Sequence, residues 1–428
     1  MAAVEKAYWP GTGLLTGIPR RDRRGCYYEA YIPDPLCDRE FLIGGEEAAD
    51  VSDAEVAVSG LDRESVRLAD TEALARLLLR AESISSSKIE GLEVGARRLL
   101  RADIAIENGE DPHDITASEV LDNIEATTRA IALIKDDAQI TVPMLLEVHR
   151  TLLKGTSLAD IAGGLRTAQN WIGGSDHNPC SADYIPPPPA HVEPLMEDLC
   201  RFCNMDHLPT VAQAAIAHAQ FESIHPFADG NGRVGRALIH LVFRRRGLTK
   251  EVTPPVSLIL ATRANDYVRG LQATRYLGPP DTLDARRGLN LWLGTFASAC
   301  TRAVTDAEAF ETRIDRLQEQ WRERVGPLRS DSLIYRLMAK LPGSPLITTT
   351  SVMRLLDCSR PTALQAVTRL QSAGVLHATR PDAKRNQIYE ARELIDLFTS
   401  FERQLASPSG NTHTDPPARQ VPARLSRR

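Results

Sequence analysis

Residues 224–236 read Ile-His-Pro-Phe-Ala-Asp-Gly-Asn-Gly-Arg-Val-Gly-Arg and gather the side chains that phosphoryl chemistry needs. His225 can take a proton from a hydroxyl nucleophile, for which an imidazole is the usual base near neutral pH. Asp229 offers a hard oxygen to a divalent cation. Gly230 and Gly232 flank Asn231, a pattern predicting a turn whose backbone N–H groups converge on an anion. Arg233 and Arg236 can neutralise phosphate oxygens, and charge neutralisation with positioning is most of what attack on phosphorus requires.

Two helices must hold this stretch. The apolar residues Val211, Ala214, Ala215, Ala219 and Phe221 predict a helix before it. After it, Val234, Leu238, Leu241 and Val242 form a helical stripe that Gly247 ends. The loop then opens onto a helix N-terminus, where orphan N–H groups and the macrodipole favour a phosphate. It is no Walker loop, since Gly-Lys-Ser/Thr is missing, and no dinucleotide fingerprint, since no strand precedes it. His218 and His240, at helical spacings, read as structural, and so does His149.

The segment matches H-x-F-x-[DE]-G-N-G-R-x-x-R at His225, Phe227, Asp229, Gly230, Asn231, Gly232, Arg233 and Arg236, and so resembles the signature of the Fic family. The resemblance implies transfer of AMP from ATP to a Ser, Thr or Tyr hydroxyl of a target protein. His225 would be the base, Asp229 would hold Mg2+, and Asn231 with the glycine amides would cradle the α-phosphate. Arg233 and Arg236 would meet the β- and γ-phosphates, with Phe227 packed beneath. Upstream, Ser86, Glu90 and Gly91 match the family's inhibitory pattern [ST]-x-x-x-E-[GN]. On that resemblance Glu90 pairs with Arg236 and displaces the γ-phosphate; a second reading has Glu90 align a water that removes AMP from a modified target.

The inhibitory pattern ends a predicted helix carrying Leu74, Leu77, Leu78, Ala81 and Ile84. Further helices are expected around Val120–Ile131 and Leu145–Leu152, the latter capped by Thr141 with Pro143 in its first turn. Residues 163–190 lack periodicity, and segments of that length are usually functional. The resemblance implies a β-hairpin flap there, starting at Trp171 and Ile172, that registers the target's main chain beside His225. Tyr27–Pro33 is strand-like. Tyr267 is a candidate nucleotide contact, with packing as its alternative. Asn290–Ala303 closes the core, and Glu308–Arg324 reads as a separate charged connector.

Beyond Asp331 the pattern is three helices, the third capped by Ser359 with Pro361 in its first turn. Two short strands then flank the basic tip Arg380–Arg385. This resembles a winged helix, with Arg360, Gln365, Thr368 and Arg369 able to face a groove. The expected fold class is therefore mainly α, a Fic-type helical core with a β-hairpin flap plus a small α+β winged-helix domain. The expected division is 1–115 with the inhibitory helix at 71–91, a core at 116–305, a connector at 306–330, the winged helix at 331–405 and a disordered tail at 406–428.

Composition bounds the alternatives. At 428 residues the chain exceeds one core. A formal net charge of −5 argues against nucleic-acid binding by the chain as a whole. No apolar run reaches membrane-spanning length, and the N-terminus has no signal-peptide pattern. Seven scattered cysteines fit free thiols in a reducing, cytoplasmic setting, with Cys200 and Cys203 packed in a helix and not binding metal. A homodimer, and docking of DNA or protein through the winged helix, are left open. The competing function class is a transcriptional regulator in which the core senses nucleotide and the winged helix acts on DNA.

Overall fold

The computed structural model describes residues 1–11, 19–65, 71–134, 138–329, 331–379 and 387–405. The chain is mainly helical and divides into two compact units, each drawn from separate stretches of sequence. The basic tip Arg380–Arg385 and the expected tail 406–428 lie outside the described residues.

The first unit comprises Met1–Glu55, Glu125–Leu248 and Asn265–Ser298. Its axis is the helix Thr210–Ile224, every residue of which is buried. The run of alanines explains this: small side chains on all faces let neighbours approach from every direction, so the helix carries no polar stripe. Asn231–Arg245 packs along it. Trp292 is buried beside it and donates its indole N–H to the Ala215 carbonyl at 2.8 Å. Val142–Leu153 begins as expected, with Thr141 Oγ1 accepting from the Met144 N–H and proline in the first turn. The strand-like Tyr27 region belongs to Cys26–Ile32, paired antiparallel with Ala3–Trp9 from Ala3↔Ile32 to Trp9↔Cys26.

The second unit comprises Val56–Ile124, Thr249–Ala264 and the chain from Ala299 onward. Here the helix Thr71–Ile89 packs on Val256–Thr262. Leu100 and Ile104, from the helix Ala96–Glu107, share a cluster with Leu346, Ile388 and Ile395. The C-terminal module runs helix Leu333–Lys340, strand Leu346–Thr348, helices Thr349–Leu356 and Arg360–Ser372, strands His377–Ala378 and Ile388–Glu390, then helix Arg392–Leu405. In its antiparallel sheet the last strand lies between the other two. Phe401 stacks on Phe310 with ring centroids 4.3 Å apart.

Three expectations are corrected. The expected break between Ala303 and Glu308 is absent: Leu283–Val325 is one helix of 43 residues. No glycine or proline interrupts 303–308, and Arg302 pairs with Asp306 one turn on, so a change from an apolar to a charged face was mistaken for an end. The seven cysteines are not all free thiols, because Cys26 and Cys180 form a disulfide, and the cysteine count no longer argues for a reducing compartment. Cys200 and Cys203 are buried free thiols, their pKa values pushed up by burial, Cys200 to about 12. Ser359 occupies the N-cap position, but its hydroxyl meets the Thr362 hydroxyl at 2.8 Å and not a backbone N–H. No helix among the described residues is long and apolar enough to cross a membrane.

Candidate active site

His225 is the residue on which the Thr210–Ile224 helix ends. Its backbone is left-handed, φ 50 and ψ 60, with the N–H donating to the Phe221 carbonyl at 2.8 Å. A non-glycine side chain in that region is uncommon and costs free energy, so the surroundings must hold it there. Arg166 supplies much of that hold. It is buried, its Nε–H donates to the His225 carbonyl at 2.9 Å, and its backbone N–H donates to the Pro226 carbonyl at 2.9 Å. Its guanidinium also donates to the Ile224 carbonyl at 3.4 Å and the Pro187 carbonyl at 2.5 Å. A cation at a helix C-terminus satisfies the orphan carbonyls there. Burial lowers its pKa to about 10, which leaves it charged at neutral pH.

The loop after His225 closes on itself. Asn231 Oδ1 accepts from the Phe227 N–H and Asn231 Nδ2 donates to the Phe227 carbonyl, each at 2.8 Å. Asn231 is buried and its side chain clasps the loop. The expected Gly-Asn-Gly turn is corrected. Only Gly230 is left-handed, at φ 78, while Asn231 and Gly232 already belong to the helix Asn231–Arg245. The left-handed backbone calls for glycine at 230, and a Cβ there would also press on Leu152 Cδ2 at 3.0 Å. Anion-binding capacity therefore rests on the first turn of that helix, whose N–H groups have no acceptors within it.

Phe227 is buried and stacks on His149, centroids 3.9 Å apart and planes within 8°. His149 Nδ1 accepts from the Gly163 N–H at 3.0 Å, so its Nε2–H donates to the Asp229 carbonyl, also at 3.0 Å. Burial lowers its pKa to about 4, and the neutral ring acts as a strut under the loop. The Asp229 carboxylate is half exposed, with Arg233 3.6 Å away, whereas Arg233 and Arg236 are buried. One open carboxylate beside a helix N-terminus suits a cation that takes its other ligands from phosphates and water. No group of three or more His, Cys, Asp or Glu able to hold a metal occurs among the described residues.

The residues before the loop turn toward it. Asn170 Nδ2 lies 2.9 Å from His225 Nδ1 and donates to the Phe227 carbonyl at 3.0 Å. Just beyond, Ile172 bridges Tyr184, its N–H donating to the Tyr184 carbonyl at 2.8 Å. The expected flap is thus an excursion between single bridges, not a ladder of strands. Trp171 braces it, its indole N–H donating to the Ser175 carbonyl and its ring edge-on to Trp9, while Ile172 is exposed. Tyr267 is buried, with His218 Nε2 2.9 Å from its hydroxyl. Burial lowers the His218 pKa to about 3, so the pair is core packing, as His218 was expected to be.

Ser86, Glu90 and Gly91 lie in the second unit. Ser86 is buried in the last turns of Thr71–Ile89 and Glu90 is exposed at its end. Gly91, at φ 81, makes the stop predicted for it. Its N–H donates to the Lys88 carbonyl and the Leu92 N–H to the Ser87 carbonyl, each at 3.0 Å, which is the Schellman arrangement. Two polar anchors were not foreseen. Asn123 Nδ2 donates to the Ser83 carbonyl and to Ser87 Oγ, and buried Glu82 accepts from the Ser257 N–H and hydroxyl. Arg166, Asn170 and Asn123 stand outside any short motif, and only a buried polar side chain facing backbone groups gives them away.

The comparisons agree with this geometry. The family model described as Fic/DOC family matches residues 139–243, and that described as Fic/DOC family N-terminal matches 48–132. Protein adenylyltransferase fic-1 of Caenorhabditis elegans is 33% identical over 138 residues, which is 32% of this chain and 24% of the relative. Protein adenylyltransferase Fic of Drosophila melanogaster is 34% identical over 131 residues, 30% of this chain and 24% of the relative. The matched stretch thus spans about a quarter of those relatives' length. A crystal structure of a Fic family protein from Desulfovibrio desulfuricans G20 shares the fold, with a TM-score of 0.50 at 22% identity over 82% of this chain and 97% of that one. With His225, the clasped loop and the helix N-terminus all inside the matched segment, the chain carries a Fic/DOC family domain, preceded by that family's N-terminal region.

Proposed function

We propose that this protein is an adenylyltransferase that moves AMP from ATP to a hydroxyl of a target protein. The observation that carries the reading is the placing of His225, in a left-handed conformation, at one end of a clasped loop whose other end is a helix N-terminus bearing Arg233 and Arg236. The names of the matched relatives support the same activity.

In this reading the first-turn N–H groups of Asn231–Arg245 receive the α-phosphate, and Arg233 and Arg236 neutralise the outer phosphates. His225 removes the proton of the attacking hydroxyl. The new bond joins that oxygen to the α-phosphorus, the α–β bridging bond breaks, and pyrophosphate leaves. Asp229 would hold Mg2+, which would supply further neutralisation of phosphate charge. The flap at Trp171 and Ile172 offers backbone groups on which a target strand is registered. Incorporation of labelled AMP from ATP by wild type and not by His225→Ala tests the proposal; equal incorporation by both overturns it.

Glu90 is the proposed restraint, reaching Arg236 in place of the γ-phosphate. If Glu90 instead serves AMP removal, wild type and not Glu90→Gly releases AMP from a pre-modified protein. We read the 331–405 module as a winged helix, supported by its helix–strand–helix–helix–strand–strand order. Arg360, Gln365 and Thr368 are exposed on its third helix, but the Arg369 guanidinium donates to the Val325 carbonyl at 2.7 Å. That helix so commits one of its two cations to its own fold, which favours a docking role over a DNA-reading one.

A further inference from the structure

We propose that Asn170 is a positioning residue that selects the tautomer of the His225 imidazole, and that its side-chain amide must turn over for the ring to act as a base. The inference deepens the proposed function and rests on the reading of His225 as the base.

The ring nitrogens of a histidine are not equivalent; what bonds one decides where the proton sits on the other. Around His225 Nδ1 stand two side-chain amides. Asn170 Nδ2 lies at 2.9 Å and Asn231 Nδ2 at 3.3 Å. The orientation of each amide is set by backbone carbonyls. Asn170 Nδ2 also donates to the carbonyls of Phe227 at 3.0 Å and His225 at 3.4 Å. Asn231 is fixed from both sides by the Phe227 N–H and carbonyl. Asn231 Nδ2 makes its shorter bond to the Phe227 carbonyl, so Asn170 is the near donor to Nδ1, which presents its lone pair, and the proton of the neutral ring sits on Nε2.

A ring in that state cannot accept a second proton at Nε2. For Nε2 to take the hydroxyl proton, the ring proton must pass through water to Nδ1, and Nδ1–H then needs an acceptor. Asn170 Oδ1 is that acceptor: it is buried and has no hydrogen-bond partner. A half-turn of the amide exchanges Nδ2 for Oδ1 beside Nδ1. The Phe227 carbonyl keeps its bond from Asn231 Nδ2 through the exchange. During transfer Nε2 receives the hydroxyl proton, and the imidazolium keeps its Nδ1–H on Asn170 Oδ1. Asn170 also precedes Ile172, whose bridge to Tyr184 opens the flap, so the residue joins the flap to the ring.

The test is long-range proton–nitrogen NMR of the histidine rings in the full-length protein, with His225 assigned by its loss in His225→Ala. Wild type is expected in the Nε2–H tautomer. Asn170→Asp, which can only accept, is expected in the Nδ1–H tautomer, and Asn170→Ala in a mixture. With ATP and target, Asn170→Ala should lose about tenfold in kcat with little change in KM for ATP, and Asn170→Asp should recover part of it. A wild-type ring in the Nδ1–H tautomer, or ring signals unchanged in both variants, overturns the proposal. Because the ring signals need no turnover, activity surviving in His225→Ala would defeat the base reading alone and leave the tautomer result standing.

Discussion

The His225–Arg236 loop and the Ser86–Gly91 helix end are both polar breaks beside a helix, yet they are held differently. The loop carries a side-chain clasp of its own, Asn231 gripping Phe227 four positions away, to which Arg166 and Asn170 add bonds from outside it. The helix end has a local Schellman stop, but its setting depends on Asn123, 36 and 40 residues from its two partners, and on Glu82 bonded to Ser257, 175 residues away. Reacting geometry tolerates little displacement, so a loop that carries its own clasp suits catalysis. A helix end without such a clasp, anchored by side chains outside it, suits the proposed restraint.

The largest effect should come from His225→Ala, which removes the proposed base but leaves the Asn231 clasp. AMP incorporation is expected to fall at least a hundredfold with the melting temperature nearly unchanged. Glu90→Gly acts on the other region. Since Glu90 is exposed, stability should hold while incorporation rises about tenfold or more. Equal rates in wild type and variant would remove the restraint from the comparison.

Asn231→Ala sharpens the contrast, for it strands the buried Phe227 N–H and should cost about 1–3 kcal/mol by urea unfolding, with activity lost alongside. Asn123→Ala should cost about 1 kcal/mol and change the degree of restraint, leaving the activity of a Glu90→Gly background intact. If the Asn123 variant instead loses activity in that background, the two regions are not separable in the way described.

The last effect is one of pH. His149 titrates near 4 in the folded protein, because burial disfavours its charged form, and near the ordinary 6.5 in the unfolded chain. The unfolded chain gains a proton as pH falls below about 6.5 and the folded one does not, so this contribution is complete above that pH and is lost progressively down to about 4. Its limit is about 3 kcal/mol. His149→Gln, which cannot titrate, should flatten the fall in urea midpoint between pH 7 and 5; an unchanged slope would show that the ring under the loop is already solvated.

Legibility followed the range of the contacts. The helices on either side of the loop, the Thr141 cap and the Gly91 stop were readable because periodicity and capping are local. The long helix Leu283–Val325 was misread where its environment changed, since one backbone can keep its hydrogen bonds while its buried face shifts. Gly232 was misread for the converse reason: a glycine permits a turn without requiring one, and here it lies in the first turn of a helix.

What the residues alone determined was the chemistry on offer: an imidazole, a carboxylate, two guanidiniums and a helix start, in an order that short-range geometry makes usable. Only the tertiary structure decided that Asn231 is a clasp, that Arg166 and Asn170 come from an irregular segment to fix the backbone and ring of His225, and that Cys26 meets Cys180. The reason is physical. A side chain's type limits which bonds it can make, but which partner it finds depends on what packing removes from water around it, and that is settled by residues far away in the chain.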